Sequence, residues 1–230
     1  MSILPLQLKQ AFYVVNNTTL LRDLSLSLSA GAITVVLGAN GAGKSSFLKL
    51  CHGLVQPSQG QVLWAGKDNP KRRQAFVFQR PVLLRRSVLK NVLFALNSQQ
   101  VAKSKQPALA EQALSQVGLL DKASRAARSL SIGEQQKLAI ARATALSPEV
   151  LFMDEPTSSL DPEATSEIES LVRILHDSGT KIVMSTHNLR QAKRMADEVI
   201  FIHKGQILEQ TAATSFFTSP ASAEAKNFLS

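Results

Sequence analysis

Ile33-Thr34-Val35-Val36-Leu37-Gly38-Ala39-Asn40-Gly41-Ala42-Gly43-Lys44-Ser45 is the stretch that decides the fold. Its first five residues form a continuous β-rich apolar run, as expected for a strand buried on both faces. Glycines then break the run, and residues 45–54 resume at helical spacing. Between strand and helix, Gly38, Ala39, Asn40, Gly41, Ala42, Gly43, Lys44 and Ser45 match the pattern G-x-x-x-x-G-K-[ST]. Glycines there let the backbone curl so that successive N–H groups face inward as an anion nest. The helix that follows adds the positive end of its macrodipole at the same point. Lys44 is placed to reach β- and γ-phosphates, the Ser45 hydroxyl to ligate Mg²⁺, and Ser46 to join the nucleotide-binding set. The competing reading, a glycine turn that merely ends a strand, leaves the lysine and serine unexplained.

Working outward, residues 150–153 form a second short apolar run that ends on Asp154-Glu155. That puts two acids at the C-terminal tip of a buried strand, the edge where open α/β sheets bind ligands. Asp154 suits Mg²⁺, which keeps several waters and takes few carboxylates. Glu155 points elsewhere and is positioned to polarise an attacking water. Acids at a strand end are otherwise simply solvated.

The flanks give the organisation. Residues 24–28, 33–37, 61–65 and 75–78 read as strands. Residues 88–96, 108–117 and 132–146 read as helices, and strand–helix alternation returns after Pro148 with strands at 150–153 and 182–185 and helices at 162–176 and 189–196. Residues 199–203 and 206–209, separated by Lys204-Gly205, read as a hairpin. Alternation of this kind argues for a mostly parallel sheet covered by helices. The helical stretch at 83–146 reads as a subdomain inserted into an α/β core of residues 1–82 and 147–230.

Composition narrows the class. The chain has 230 residues, a net charge of +9, 44% apolar residues and one cysteine. That is ordinary globular composition with a sizeable core. No apolar run approaches the ~20 residues of a membrane helix, and the opening residues lack the regions of a secretory signal. Cys51 alone cannot form an internal disulfide or a two-cysteine metal knuckle, and a buried core position suits it. A cytoplasmic location is therefore expected. The basic excess is concentrated in the middle third: residues 71–145 carry +11 and residues 146–230 carry −5. Nucleic acid, an anionic lipid surface and a plain solvated face all fit such a block.

Beyond Lys44 come Gln79, then Leu130-Ser131-Ile132-Gly133-Glu134-Gln135, then Asp154-Glu155, Ser159-Leu160-Asp161 and His187. In order and spacing these resemble the ATP-binding subunits of ABC transporters over nearly the whole chain, the pieces corresponding to Walker A loop, Q-loop, signature, Walker B strand, D-loop and switch histidine. The resemblance implies a P-loop NTPase of α/β class, with a mostly parallel core, an antiparallel β edge and the helical insert. It implies ATP and Mg²⁺ as ligands and two copies closing head-to-tail around two ATP molecules. Carried over by position, Ser131, Gly133 and Glu134 would contact the partner's nucleotide, and Asp161 would lie at the same junction. Gln79 would sense Mg²⁺ and water, Glu155 would be general base, and His187 would bond the γ-phosphate. Tyr13 is expected to stack on adenine, with Phe12 as the neighbouring alternative. Ser131 and Glu134 also spell a capping box. Ile132 departs from the family pattern, replacing the first glycine after the signature serine, and is expected to slow turnover.

The resemblance further implies a separate membrane permease, an extracytoplasmic solute-binding protein and a peripheral position on the cytoplasmic face of the membrane. The apolar residues Val82, Leu83 and Leu84, flanked by Arg80, Arg85 and Arg86, suit permease docking. The stretches 78–84, 186–192 and 216–220 look most like the oxyanion importers, tungstate type first, with phosphate and amino-acid importers as alternatives. A nucleic-acid or ribosome-directed ATPase is less well supported, because such proteins pair two cassettes in one chain or carry coiled-coil inserts. No nucleic acid is expected as partner. The absence of an N-K-x-D motif argues against a GTPase switch, and Glu155 with His187 against a non-hydrolysing regulator.

Overall fold

The computed structural model describes residues 2–65 and 70–230. Its strands are β1 (Leu6–Val15), β2 (Thr18–Leu28), β3 (Thr34–Leu37), β4 (Gln59–Trp64), β5 (Gln74–Val77), β6 (Val150–Asp154), β7 (Lys181–Ser185), β8 (Glu198–His203) and β9 (Gln206–Ala212). Its helices are α1 (Lys44–His52), α2 (Val88–Ser98), α3 (Gln106–Gln116), α4 (Ile132–Thr144), α5 (Pro162–Asp177), α6 (Leu189–Met195), α7 (Ala213–Thr218) and α8 (Ala223–Leu229).

Two sheets organise these elements. One has six strands in the order β5-β6-β7-β3-β8-β9. Its first five strands run parallel, and β9 is added antiparallel through the hairpin at Lys204-Gly205. The other is a three-stranded antiparallel sheet in the order β2-β1-β4. Every residue of β3, β6 and β7 is buried, which is why each reads as an apolar run, bounded at one end or both by a polar residue. β3 and β6 flank β7, so the loop after β3 and the acids ending β6 emerge at the same sheet edge.

The core has two parts. One packs α4, α5, α6 and α7 against one face of the six-stranded sheet and continues through α4 into α2 and α3. The other sandwiches α1 between that sheet's opposite face and the three-stranded sheet, with Phe47, Leu48, Leu50 and Cys51 fully buried. Burial pushes the Cys51 thiol far above its ordinary range, so it is an inert core residue.

The α/β class and the antiparallel edge are as the sequence implies. Three elements are additional. β1 had no clear alternation to announce it, because irregular pairing between Leu8 and Val14 interrupts its period and Gln10 takes a positive φ of 46°. Helices α7 and α8 follow the hairpin, and at six and seven residues each is too short to show helical periodicity. The Glu209 carboxylate ties them down, accepting from the N–H groups of Ala221 and Ser222 and from the Ser222 hydroxyl. Between β5 and β6 the described elements are α2, α3, α4 and short 3₁₀ turns, with no strand among them.

Candidate functional site

The glycine loop is shaped by close packing. Gly38 has φ +152°, and a Cβ there would lie 2.2 Å from the Ile202 carbonyl oxygen, so no side chain fits. Helix α1 starts directly after Gly43, which offers no capping side chain, and its first turn holds no acid. The positive end of α1 is therefore uncompensated and faces the loop. Lys44 is only 5% exposed. Its ammonium donates to the carbonyls of Gly38 (2.9 Å) and Ala39 (3.2 Å) and lies 3.4 Å from Glu155 Oε1.

Register brings the acids to this loop. Asp154 pairs with Ser185 across β6 and β7, and its Oδ1 accepts from the Ser45 hydroxyl (2.9 Å) and the Ser185 hydroxyl (2.8 Å). The same Ser185 hydroxyl accepts from the Glu155 N–H at 3.0 Å. Glu155 takes a left-handed conformation, φ +43°, which costs a non-glycine residue about 1–3 kcal/mol. The chain turns there, so its carboxylate leaves the line of Asp154 and meets Lys44, His187 and Gln79. His187 Nδ1 is 3.1 Å from Glu155 Oε2, and the Gln79 amide donates to that oxygen at 3.5 Å and to the Ser158 hydroxyl at 3.2 Å. With Nδ1 engaged, the ring's Nε2 is left for a ligand.

Leu20, Lys44, Ser45, Gln79, Glu155, Ser158 and His187 line a cleft of about 560 Å³, with Asp154 and Ser185 behind it. Residues from five separate stretches of chain thus meet in one concave site of a size that suits a nucleotide. A hydroxyl and a single carboxylate beside a phosphate nest are the donor set Mg²⁺ takes. Among the described residues there is no cluster of three or more His, Cys, Asp or Glu able to hold a metal by itself. The Ser45–Asp154 pair therefore suits an ion that completes its shell with phosphate and water.

A family model described as ABC transporter matches residues 21–158, more than half the chain and spanning the glycine loop and both acids. The chain belongs to the ABC transporter family. A phosphate import ATP-binding protein of Vibrio cholerae is 38% identical over 230 aligned residues, covering 91% of this chain and 83% of the relative. An arginine transport ATP-binding protein of Bacillus subtilis is 34% identical, covering 91% and 92%. The solved structure of cbiO1 from Clostridium perfringens, titled as part of the ABC transporter complex cbiONQ, superposes with a TM-score of 0.83 at 26% identity, covering 95% of this chain and 91% of that one. The fold is that of an ABC ATPase.

The residues expected to form the signature lie apart from the cleft. Ser131 caps α4, its hydroxyl accepting from Glu134 N–H while the Glu134 carboxylate accepts from Ser131 N–H, so both halves of a capping box are present. Lys122 forms a short ion pair with Glu134. It holds the Glu134 carboxyl below the ordinary range and is itself raised. Gly133 allows close approach of two helices, since a Cβ there would lie 3.0 Å from Ala164 Cβ in the first turn of α5. Ile132 is 59% exposed. Asp161 caps α5, accepting from Ala164 N–H at 2.8 Å. None of Ser131, Gly133, Glu134 and Asp161 lines the cleft. Tyr13 is half-buried, packs on the core around α1 and pairs with Leu21, next to the cleft residue Leu20.

Sequence reasoning missed Leu20, Ser158 and Ser185. For Ser185 a signal existed: the apolar run of β7 ends on a hydroxyl at the same sheet edge as Asp154. Leu20 and Ser158 carry no chemical signature and are found only by packing.

Proposed function

We propose that this chain is the ATP-hydrolysing subunit of an ABC importer that energises uptake of a small solute through a separate membrane permease. The observation that supports this best is the convergence of Lys44, Gln79, Glu155 and His187 on one cleft beside the Ser45–Asp154 pair. The loop N–H groups and Lys44 bind the β- and γ-phosphates, the ammonium exchanging its carbonyl partners for phosphate oxygens. Ser45 and Asp154, with Gln79 across the cleft, would hold Mg²⁺, which would supply positive charge to offset charge building on the phosphates. Glu155 takes a proton from water as its oxygen bonds to the γ-phosphorus. The β–γ bridging P–O bond breaks with its electron pair left on ADP, and orthophosphate departs. His187 Nε2 and Gln79 fix the γ-phosphate and the water. Tyr13 or Phe12 supplies a ring for adenine.

The site is completed by a second copy, whose Ser131, Gly133 and Glu134 meet the phosphates at the capped end of α4, with Asp161 at the junction. Support comes from the position of these residues outside the cleft and from the exposure of Ile132. Among the described residues no helix is long and apolar enough to cross a membrane, which fits a subunit held at the cytoplasmic face by its permease. A small groove of about 180 Å³ between Phe78, Pro81, Val82, Ala95, Ala139 and Arg142 suits the permease. Val82 is 73% exposed there, whereas Leu83 packs into the core. The surrounding basic surface would face anionic lipid.

For the solute, the stretches at 78–84 and 186–192 favour an oxyanion, tungstate first, delivered by an extracytoplasmic binding protein. The names of relatives favour phosphate or an amino acid as the second reading. Competition for solute uptake in cells carrying the parent or the Glu155→Gln chain discriminates them. Tungstate uptake lost only in the variant supports the first reading; tungstate uptake that persists while phosphate or arginine uptake fails overturns it.

A further inference from the structure

Beside the nucleotide cleft lies a second cavity of about 580 Å³, and the two share Glu155, Ser158 and His187 as a common wall. The second cavity runs between the first turns of α5 and α6, lined by the hydroxyls of Thr157, Thr165, Ser166 and Thr186 and by Asn188, Arg190 and Arg194. Its volume holds a small anion with several waters, each water taking about 30 Å³.

The charges in it are unequally committed. The Arg194 guanidinium grips Glu169 with two hydrogen bonds, Nε to Oε2 at 3.0 Å and Nη2 to Oε1 at 2.7 Å. Gln191 Nε2 donates to the same Oε1 at 3.1 Å and to the Thr157 hydroxyl at 2.8 Å. The one acid deep in the cavity is thus neutralised and pinned. Arg190 is exposed and has no acidic partner among the described residues, so its charge is free to act on an anion. The wall on the cleft side carries Glu155, which is neutral once it holds the proton taken from water and so sets no like charge in the path of an anion.

We propose that this cavity is the exit path of orthophosphate, with Arg190 as the charge that draws the product out past His187. The inference rests on the hydrolytic reading of the cleft. It gives a product that a second copy would otherwise seal in a way out that does not require the two copies to part first.

The test measures chemistry and release separately in the full-length chain. Single-turnover quenched reactions follow ADP formation, and a fluorescent phosphate-binding sensor follows free orthophosphate. Two variants are compared with the parent: Arg190→Ala, which removes the charge, and Ser166→Phe, which fills the passage. ADP should form at the parental rate in both, while orthophosphate reaches the sensor about tenfold more slowly, the scale of one charge-assisted contact. Arg190→Lys should recover most of the release rate. Release at the parental rate in both variants, with ADP formation intact, overturns the exit path alone. Loss of ADP formation in step with release overturns it as well, because the residues would then act in the chemistry. A parent chain that forms no ADP overturns the hydrolytic reading and the exit path with it.

Discussion

The cleft around Lys44 and the capped start of α4 are both places where a helix N-terminus meets anion-binding residue types, yet the chain treats them in opposite ways. Around Lys44 the folded chain draws in partners from distant segments: Asp154, Glu155, Gln79, Ser185 and His187 all arrive within hydrogen-bonding reach of one another or of the loop. Around Ser131 it draws in only what a helix end needs, a capping box and one lysine. The rest of that end, including Ile132, faces solvent. On the proposed reading, the first region is a reaction site short of one wall. On the same reading, the second is the wall that another copy's site lacks. The contrast is what supports assigning the two to different copies of one assembly.

Variants in each region separate the two roles. The largest effect belongs to Glu155→Gln, which keeps shape but removes the base; ATP hydrolysis should fall by roughly 10²–10⁴-fold with nucleotide binding retained, read by steady-state rate beside calorimetric titration. Lys44→Ala comes next. Removing an ammonium aimed at phosphates should weaken nucleotide binding by about tenfold or more, and undiminished affinity in titration would show that the loop amides suffice without it. Gly38→Ala acts through packing, since its Cβ has no room against Ile202; a loss of about 1–3 kcal/mol should appear in denaturant unfolding.

On the α4 side the effects are smaller. Ser131→Ala should cost about 1 kcal/mol of stability through the lost cap. It should also slow hydrolysis without changing the affinity of a single chain for nucleotide. Ile132→Gly should raise the hydrolysis rate a few-fold by letting a partner's phosphates approach, an estimate from the bulk of a β-branched side chain at a close contact; an unchanged rate removes Ile132 from the account of turnover. The Lys122–Glu134 pair adds a pH signature. Because the Glu134 carboxyl titrates below its ordinary range, its contribution is present above that range and lost as acid protonates it. Lys122 is raised, so its contribution is lost only as pH climbs past the ordinary lysine range. Acid unfolding of Glu134→Gln should therefore be less steep than that of the parent.

What was legible in the sequence follows the same division. The glycine loop, Asp154-Glu155 and the capping box could be read because their chemistry demands particular residue types at fixed spacing. β3, β6 and β7 could be read because burial on both faces fills their middles with apolar residues. β1 could not, since its irregular register dilutes the alternation, and α7 and α8 could not, since each places only one or two fully buried residues in the core and the turn between them is tied by Glu209. Ser185 offered only a hydroxyl at a strand end, and its pairing with Asp154 is fixed by sheet register between residues 31 apart in sequence.

The most direct measurement is the mass, by light scattering, of the Glu155→Gln chain with and without ATP. Two chains enclosing two nucleotides should give a species of twice the chain mass that forms only with ATP, carries one ATP per chain and is lost when Ser131 and Gly133 are replaced by bulky residues. A species of single-chain mass that holds ATP fully, paired with a parent hydrolysis rate per chain that does not change on dilution, would contradict the shared site.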